Sequence, residues 1–369
     1  QGYIKMASEG RYKDALKLIK KDNPFPAVCG SICRKYCEDA CTRGSVDEPL
    51  SIDEIKKFIA EQDMRDEHRY IPPMNSCTMA PFEQKIAIIG AGPAGMSCAY
   101  FLAIEGYKPT VVEKEAAPGG MLVNGIPNFR VDKATVNSEI DVLREMGVEF
   151  RCGVEVGKDV TIQQLREEGY KAFYVAVGLQ TASKLGIEGE DLKGVTGGLD
   201  LLRAVNRGEL TELKGDTIVI GGGNAAIDVA RTAVRLGGGS VSIYCLEKDE
   251  EMPTVPDEKN AGIADGVVIN NCWGPKRIIG KNGKVTGVEF MRCTSVRDAS
   301  GKFAPKYDEN DTVTVKCSNV LVAIGQRSDY GSVLAGTKAE TPDGRLIDCD
   351  KLTFQTAEPD IFVGGDCAT

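Results

Sequence analysis

The 369 residues hold one histidine and one tryptophan. The histidine, His68, lies in a stretch of prolines, methionines and polar residues (64 to 82) that reads as a linker. It reads as a satisfied surface side chain, so a histidine-based triad or general base is left out. Thirteen cysteines are present, yet none forms a C-x-x-C pair. That spacing is what a redox-active dithiol or the usual paired-cysteine zinc site requires. Acidic residues outnumber basic ones, 54 to 45, for a net charge of −9, and no basic run stands out. This excludes a nucleic-acid partner. No apolar stretch reaches the ~18 residues of a membrane span. No signal-peptide pattern is read. Cysteines in a chain without a secretory leader point to a reducing compartment, the cytoplasm, and to metal ligation rather than a disulfide framework. The chain begins at Gln1 and stops at Thr369 just after a glycine-rich turn, so a piece of something longer is expected. Its length suggests two or three domains.

Glycine, by contrast, is abundant at 42 residues. In KIAIIGAGPAGMSCAYFLAIEGYKPTVVEKE (85 to 115), the apolar run Ile86 to Ile89 reads as a fully buried parallel strand. Gly90, Gly92 and Gly95 follow as G-x-G-x-x-G, then an amphipathic helix, then a strand from Thr110 to Val112 ending at Glu113. Gly90 permits a tight turn, Gly92 lets backbone approach a pyrophosphate, and Gly95 lets helix pack close on strand. The helix N-terminus offers free N–H groups to phosphate. Glu113, 21 residues after Gly92, can accept from ribose hydroxyls. Together these predict a dinucleotide site.

The arrangement recurs. Thr217 to Ile220 reads as a second buried strand, and Gly221, Gly223 and Ala226 make G-x-G-x-x-A. The strand Ser240 to Tyr244 then ends in Cys245-Leu246-Glu247, where the ribose 2′ position is read. Arginine there accommodates the 2′-phosphate of NADP, and an acid bonds the 2′-hydroxyl of NAD. No arginine is present and Glu247 is close by, three residues past the standard place, which favours NADH over NADPH. A solvated loop charge is the other reading of Glu247. Further glycine turns follow other elements: Gly119-Gly120; Gly178 after the strand YKAFYVAVG; Gly325 after Val320 to Ile324; and Gly364-Gly365-Asp366 after a last buried strand. A helix from about Asp132 to Met146 leads into a strand at Val148 to Phe150. Residues 276 to 325 read as a β-meander with a tight hairpin at Asn282-Gly283.

Ahead of the first fingerprint, residues 1 to 22 read as helical, with Ala15, Leu16, Leu18 and Ile19 on one stripe and Asn23-Pro24-Phe25-Pro26 as terminator. Residues 51 to 63 read as a second helix, N-capped by Ser51, with Ile52, Ile55, Phe58 and Ile59 facing inward. Between them Cys29, Cys33, Cys37 and Cys41 recur every four residues. One iron–sulfur cluster is the simplest reading. On a straight helix the outer two would stand ~18 Å apart, so either the segment bends or the cysteines serve two centres. Buried structural thiols and zinc are the alternatives.

The stretches NPFPAVCGSICRKYCEDACTRG, GGMLVNGIPNFRV, GGGNAAIDVARTAVRLG and GGDCAT together resemble the cysteine segment, flavin loop, nicotinamide site and last flavin motif of the glutamate synthase small (β) subunit family. That family includes the N-terminal half of dihydropyrimidine dehydrogenase and the flavin subunits of electron-bifurcating transhydrogenase-like complexes. The resemblance covers essentially the whole chain. It implies an α/β fold of two Rossmann-like domains, one for FAD and one for NAD(P)H, the second inserted in the first and both preceded by a small α-helical iron–sulfur domain. The implied boundaries are 1–80 for the helical domain, 81–200 with 317–369 for FAD, and 201–316 for NAD(P)H.

The implied cofactor-binding residues are Gly90, Gly92, Pro93, Ala94, Gly95, Glu113, Lys114, Gly120, Met121, Gly125, Ile126, Arg130, Val154, Gly178, Gly221, Gly223, Asn224, Ala225, Ala226, Glu247, Gly325, Gly365 and Asp366. The implied [4Fe–4S] ligands are Cys33, Cys37 and Cys41; Cys29 matches a position that is often not a ligand. Three departures stand out. The family's upstream cysteine cluster is absent, Cys245-Leu246 replaces a common Arg-Arg, and Lys56 lies near a position where some relatives place a Gln or Glu ligand.

The implied function is that of an FAD-dependent NAD(P)H oxidoreductase module. It passes electrons through FAD to iron–sulfur clusters and a partner subunit or fused domain, in a ferredoxin-linked or electron-bifurcating complex. A glutamate synthase small subunit feeding a glutamine-dependent large subunit is one alternative, and a non-catalytic cofactor-binding scaffold is another. No side chain is given a catalytic role, because hydride transfer needs orientation and dry surroundings rather than a protein base.

Overall fold

The structure, a computed structural model, describes residues 1–75 and 84–368. The chain opens with helices α1 (Gly2–Ser8), α2 (Tyr12–Ile19), α3 (Pro26–Ile32), α4 (Tyr36–Asp39) and α5 (Ile52–Met64). Then come β1 (Lys85–Ile89), α6 (Pro93–Ile104), β2 (Pro109–Glu113), α7 (Met121–Asn124), α8 (Lys133–Glu145), β3 (Glu149–Cys152), α9 (Ile162–Glu167) and β4 (Tyr170–Val175). Next are β5 (Thr181–Ala182), β6 (Val195–Gly197), α10 (Gly198–Asn206), β7 (Thr217–Ile220), α11 (Asn224–Arg235), β8 (Val241–Tyr244), α12 (Pro256–Ala264) and β9 (Val268–Asn270). The last elements are β10 (Trp273–Lys281), β11 (Lys284–Arg297), β12 (Phe303–Lys316), β13 (Asn319–Val322), β14 (Gln326–Arg327) and β15 (Ile361–Val363).

Two compact units result: Gln1–Leu179 with Ser328–Thr369, and Gln180–Arg327. In the first, a parallel sheet has the order β15-β4-β1-β2-β3. Its inner strands are buried on both faces. Ile88 and Val111 enter one core with α6 and α8, while Ala87, Ile89, Val112, Phe173 and Val175 enter the other. This is why the strands read as unbroken apolar runs. Helix α6 is apolar nearly all round rather than amphipathic: Met96, Ala99, Tyr100 and Ala103 are fully buried, while Cys98 and Leu102 line an apolar cavity of about 500 Å³ beside β4 and β15.

The second unit repeats the plan, with parallel order β6-β13-β7-β8-β9 and the strand before the glycines again central. The antiparallel sheet β10-β11-β12 packs against it, where Tyr244 stacks on Phe290 at 4.2 Å between ring centroids. Asn282 and Gly283 both have positive φ, 54° and 73°, the backbone of a type I′ hairpin turn.

Several expectations need correction. The helix expected over 1–22 is two helices, because Gly10 takes φ +75° between them. Phe58 does not face inward. It is 45% exposed and meets the Tyr12 ring edge-on, whereas Ile59 beside it is fully buried. Val320 to Val322 lies outside the meander. It is β13, paired with β7 and β6, because a central parallel strand needs a neighbour on each side. Residues 180–200 and 317–327 therefore belong to the second unit, and the boundaries expected at 200/201 and 316/317 fall at 179/180 and 327/328. The expected boundary at 80/81 lies outside the described residues, as does the later part of the expected linker.

The earlier part of that stretch is tied down. Arg69 donates to Ser138 Oγ at 2.7 Å, Tyr70 N to Asp63 Oδ1 at 2.8 Å, and Asn75 N to the Ile104 carbonyl at 2.7 Å. The opening helices share the first unit rather than forming one of their own. Glu139 of α8, buried in that unit, accepts from Ala27 N at 3.2 Å and Val28 N at 3.1 Å at the start of α3. Burial pushes its carboxyl up to about 7, against the pull of Lys20 and the two amides.

Candidate functional site

The order β4-β1-β2 places a topological switch point at the carboxyl ends of β1 and β4, where open α/β sheets bind ligands. The loops collected there are built on close backbone contacts. Gly90 has φ +105°, and a Cβ on it would stand 2.5 Å from the Ala176 carbonyl oxygen. A Cβ on Gly95 would stand 2.0 Å from the Gly90 carbonyl oxygen. Gly92 caps α6, with Pro93 as its first residue and Ala94 next. This leaves the helix's first N–H groups without intrahelical partners.

Gly119 N donates to the Ala91 carbonyl at 2.8 Å, and a Cβ on Gly120 (φ +54°) would lie 2.6 Å from Gly92 Cα. These glycines therefore serve first to let one loop pack on the other. A Cβ on Gly365 would lie 2.8 Å from Ala94 Cβ, which brings the exposed Asp366 beside the start of α6. Gly178, at φ +64°, follows β4.

Glu113 is buried at the end of β2. Its Oε2 accepts from Ala91 N at 2.7 Å and its Oε1 from Glu115 N at 2.9 Å. Burial pushes its carboxyl up while the two amides pull it down. Each oxygen keeps a lone pair for a further donor, so the acid is held in position by the loop it would serve. Val154 N donates to the Glu113 carbonyl at 3.0 Å, whereas Lys114 is exposed. Met121 and Gly125 lie along α7 and its C-cap, followed by Ile126 and Arg130.

Sequence reasoning missed Lys133, whose Nζ donates to the Leu122 carbonyl at 2.9 Å and to that of Ile126. It caps the turn carrying these residues, and burial lowers its pKa to about 8. The available signal was a lysine at the first position of α8, where the helix dipole disfavours a cation.

In the second unit, Gly221 has φ +137°, and a Cβ on it would stand 2.3 Å from the Ala323 carbonyl oxygen. Gly223 caps α11, and a Cβ there would meet nothing within 4 Å, so the space above the helix N-terminus is open. Asn224 Oδ1 accepts from Thr254 Oγ at 2.8 Å and Val255 N at 2.9 Å, which commits that oxygen to the fold. Ala225 is exposed and Ala226 fully buried. Gly325, at φ +111°, offers its carbonyl to Ser183 N at 3.0 Å. It lies in this second unit. Both cradles fit a nucleotide: backbone bare of side chains at a helix N-terminus, with an acid nearby.

The cysteine segment bends. α3 ends at Ile32, Cys33 is extended, Lys35 is left-handed at φ +60°, α4 is one turn, and Cys41 is extended again. The segment is therefore not the straight helix on which the outer cysteines would stand ~18 Å apart. Asp53, fully buried, pairs through Oδ1 with Lys56, while its Oδ2 has no hydrogen-bond partner among the described residues. Lys56 lies in the field of the Cys29 and Cys33 thiols, and Asp53 in that of Cys37. Thiols beside an orphaned carboxylate oxygen are donors suited to iron. Among the described residues, however, no three Cys, His, Asp or Glu side chains are gathered as a metal site. The donor chemistry fits a cluster; the arrangement does not close around one. All twelve described cysteines are free thiols.

Residues 84–369 match the family model described as pyridine nucleotide-disulphide oxidoreductase, and residues 1–68 that of dihydropyrimidine dehydrogenase domain II, 4Fe-4S cluster. The β subunit of an NADP(+)-dependent formate dehydrogenase from Moorella thermoacetica is 34% identical over 99% of this chain and 54% of its own length. The β subunit of an NADPH-Fe(3+) oxidoreductase from Geobacter sulfurreducens is 34% identical over 95% and 51%. The chain thus spans about half the length of these curated relatives. The glutamate synthase [NADPH] small chain of Escherichia coli is 32% identical over 99% of this chain and 80% of its own length.

Among solved structures, Mycobacterium tuberculosis FprA in complex with NADPH shares the fold, with TM-score 0.62 at 20% identity over 77% of this chain and 79% of its own. Lactococcus lactis thioredoxin reductase shares it too, with TM-score 0.58 at 20% identity over 78% and 91%. The chain belongs to the pyridine nucleotide-disulphide oxidoreductase family, alongside the glutamate synthase small chains, with a 4Fe-4S domain over its first 68 residues.

Proposed function

We propose that the chain is the NAD(P)H-oxidising flavoprotein part of a larger redox enzyme, delivering electrons to a partner subunit or fused domain. The observation that carries this reading is the repetition of one nucleotide cradle on two five-stranded parallel sheets, each with the strand before the glycines at its centre. Two nucleotide sites in a chain without a C-x-x-C pair suit electron transfer from one nucleotide to the other. FAD, when bound, accepts a hydride from a reduced nicotinamide and releases electrons singly.

In the first unit, Gly90, Gly92 and the free N–H groups of Ala94 and Gly95, which follow Pro93 at the start of α6, hold the pyrophosphate, and Glu113 accepts from the ribose. Gly120, Met121, Gly125, Ile126, Arg130, Val154, Gly178, Gly365 and Asp366 complete that pocket. In the second, Gly221, Gly223 and the residues Asn224 to Ala226 hold the nicotinamide nucleotide. Cys33, Cys37 and Cys41 are the thiolates for iron in the 4Fe-4S domain.

A partner is supported by the relatives, which are named as subunits and are about twice as long. Their names, formate dehydrogenase and NADPH-Fe(3+) oxidoreductase, together with the glutamate synthase small chain, support a redox partner as the common element. Free thiols fit a cytoplasmic setting, and no helix among the described residues is long and apolar enough to cross a membrane. The test is anaerobic stopped-flow reduction of the flavin by NADH and by NADPH. A flavin reduced by neither sinks the proposal.

A further inference from the structure

We infer that this site selects NADH over NADPH and that Glu247 makes the selection; this rests on the second glycine cradle being the nicotinamide-nucleotide site. After β8 the chain folds back over the cradle. At the place a Cβ on Gly222 would occupy, the nearest atoms are Glu247 Oε2 at 2.8 Å and Cys245 Cβ at 3.0 Å. The carboxylate thus lies against the middle of Gly221-Gly222-Gly223. A nucleotide whose pyrophosphate sits at the start of α11 presents its adenosine ribose at this edge. The fold-back brings the acid to the cradle although it lies beyond the usual position in sequence.

This is not a loose loop charge. The Glu247 carbonyl accepts from Cys272 N at 3.1 Å and from Asn271 Nδ2 at 3.1 Å. Cys245 N donates to the Asn270 carbonyl at 3.1 Å, and the Cys245 carbonyl accepts from Trp273 N at 2.8 Å. Cys272 adopts φ +63° at this junction. The loop is therefore fixed to the strand edge by bonds at Cys245 and at Glu247 itself.

The surrounding charge is mixed, with acids directly following Glu247 and Lys248. Among the described residues no cation pairs with the Glu247 carboxylate, and nearby bases are engaged elsewhere. Lys248 meets Glu251 at 3.6 Å, Lys259 meets Asp249 at 2.5 Å, and Arg292 lies over the Trp273 ring and pairs with Asp311 at 3.0 Å. Asp249, Glu250 and Glu251 follow directly in a short 3-10 turn. A ribose 2′-hydroxyl can donate to this carboxylate. A 2′-phosphate brings two negative charges and only acceptor oxygens, and Cys245 and Leu246 offer it no cation.

The experiment uses the intact flavoprotein. NADH and NADPH binding is followed by nicotinamide fluorescence, and flavin reduction by stopped flow. The expected result is at least a tenfold preference for NADH in both. Glu247→Gln keeps the side chain's size and removes its charge. It should narrow the preference about tenfold, mainly through tighter NADPH binding rather than a changed limiting rate, and adding Leu246→Arg should narrow it further. Equal or tighter NADPH binding in the native protein, a ratio unmoved by Glu247→Gln, or binding of neither nucleotide overturns the inference. Selective NADH binding without flavin reduction upholds the selectivity and defeats the electron-transfer role instead.

Discussion

Gly95 and Gly223 show how differently two fingerprint glycines can be needed. A methyl group on Gly95 would sit 2.0 Å from a backbone carbonyl oxygen, whereas one on Gly223 would meet nothing within 4 Å. Gly95→Ala should push α6 off β1, lowering stability by about 1–3 kcal/mol as overpacking does. Denaturant unfolding and the flavin content of the purified protein check this. Gly223 has extended backbone, φ −90° and ψ 176°, which valine accepts. Gly223→Val should leave stability within about 0.5 kcal/mol and abolish nicotinamide-nucleotide binding in a fluorescence titration. Glu113→Ala strips the buried Ala91 amide and the part-buried Glu115 amide of their acceptor, at about 1–3 kcal/mol for the buried one. It should also lower flavin retention, and unchanged flavin content would count against the ribose-binding role.

Helix α8 is the element on which two segments depend. Its Lys133 caps the α7 turn, and its Glu139 caps the start of α3, whose far end leads into Cys33. Burial raises the Glu139 carboxyl from 4.5 to about 7 in the folded chain. Between those values the unfolded chain has lost a proton that the folded chain keeps. Stability from this group is therefore complete below pH 4.5 and falls as pH rises through about 7, by about 3 kcal/mol in all. Glu139→Gln should flatten that part of the profile, as read from unfolding curves at pH 5 and pH 7.5. Lys133 stands out only as a cation at a helix start, and Glu139 does not stand out in the sequence at all. A glutamate in mid-helix reads as a solvated face, and only the packing of α3 on α8 buries it.

For the whole molecule, the two glycine cradles belong to separate compact units with separate cores. Gly95→Ala and Gly223→Val should then act independently. The double variant should lose flavin content as the first does and nucleotide affinity as the second does, with stability effects adding within about 0.5 kcal/mol. A marked departure from additivity would mean that the two units share a folding core.

Much of this architecture was legible because its causes are local. Apolar runs such as Ile86 to Ile89 and Thr217 to Ile220 mark strands buried on both faces, glycines at fixed offsets mark turns, and Asn282-Gly283 marks a hairpin. What depends on contacts distant in sequence was not legible. Whether 320–322 continues the meander or pairs with β7 is decided by strands about a hundred residues away. Whether 64–75 is a linker is decided by partners such as Ser138 and Ile104. The glycine spacing, the acids at 113 and 247, and the four cysteines were determined by the sequence alone, because covalent order sets them. Tertiary structure decided that Glu113 is locked by loop amides, that Glu247 folds back onto Gly222, and that the cysteine segment bends at Lys35. In each case the side chain's role depends on which distant backbone reaches it, and sequence spacing does not carry that information.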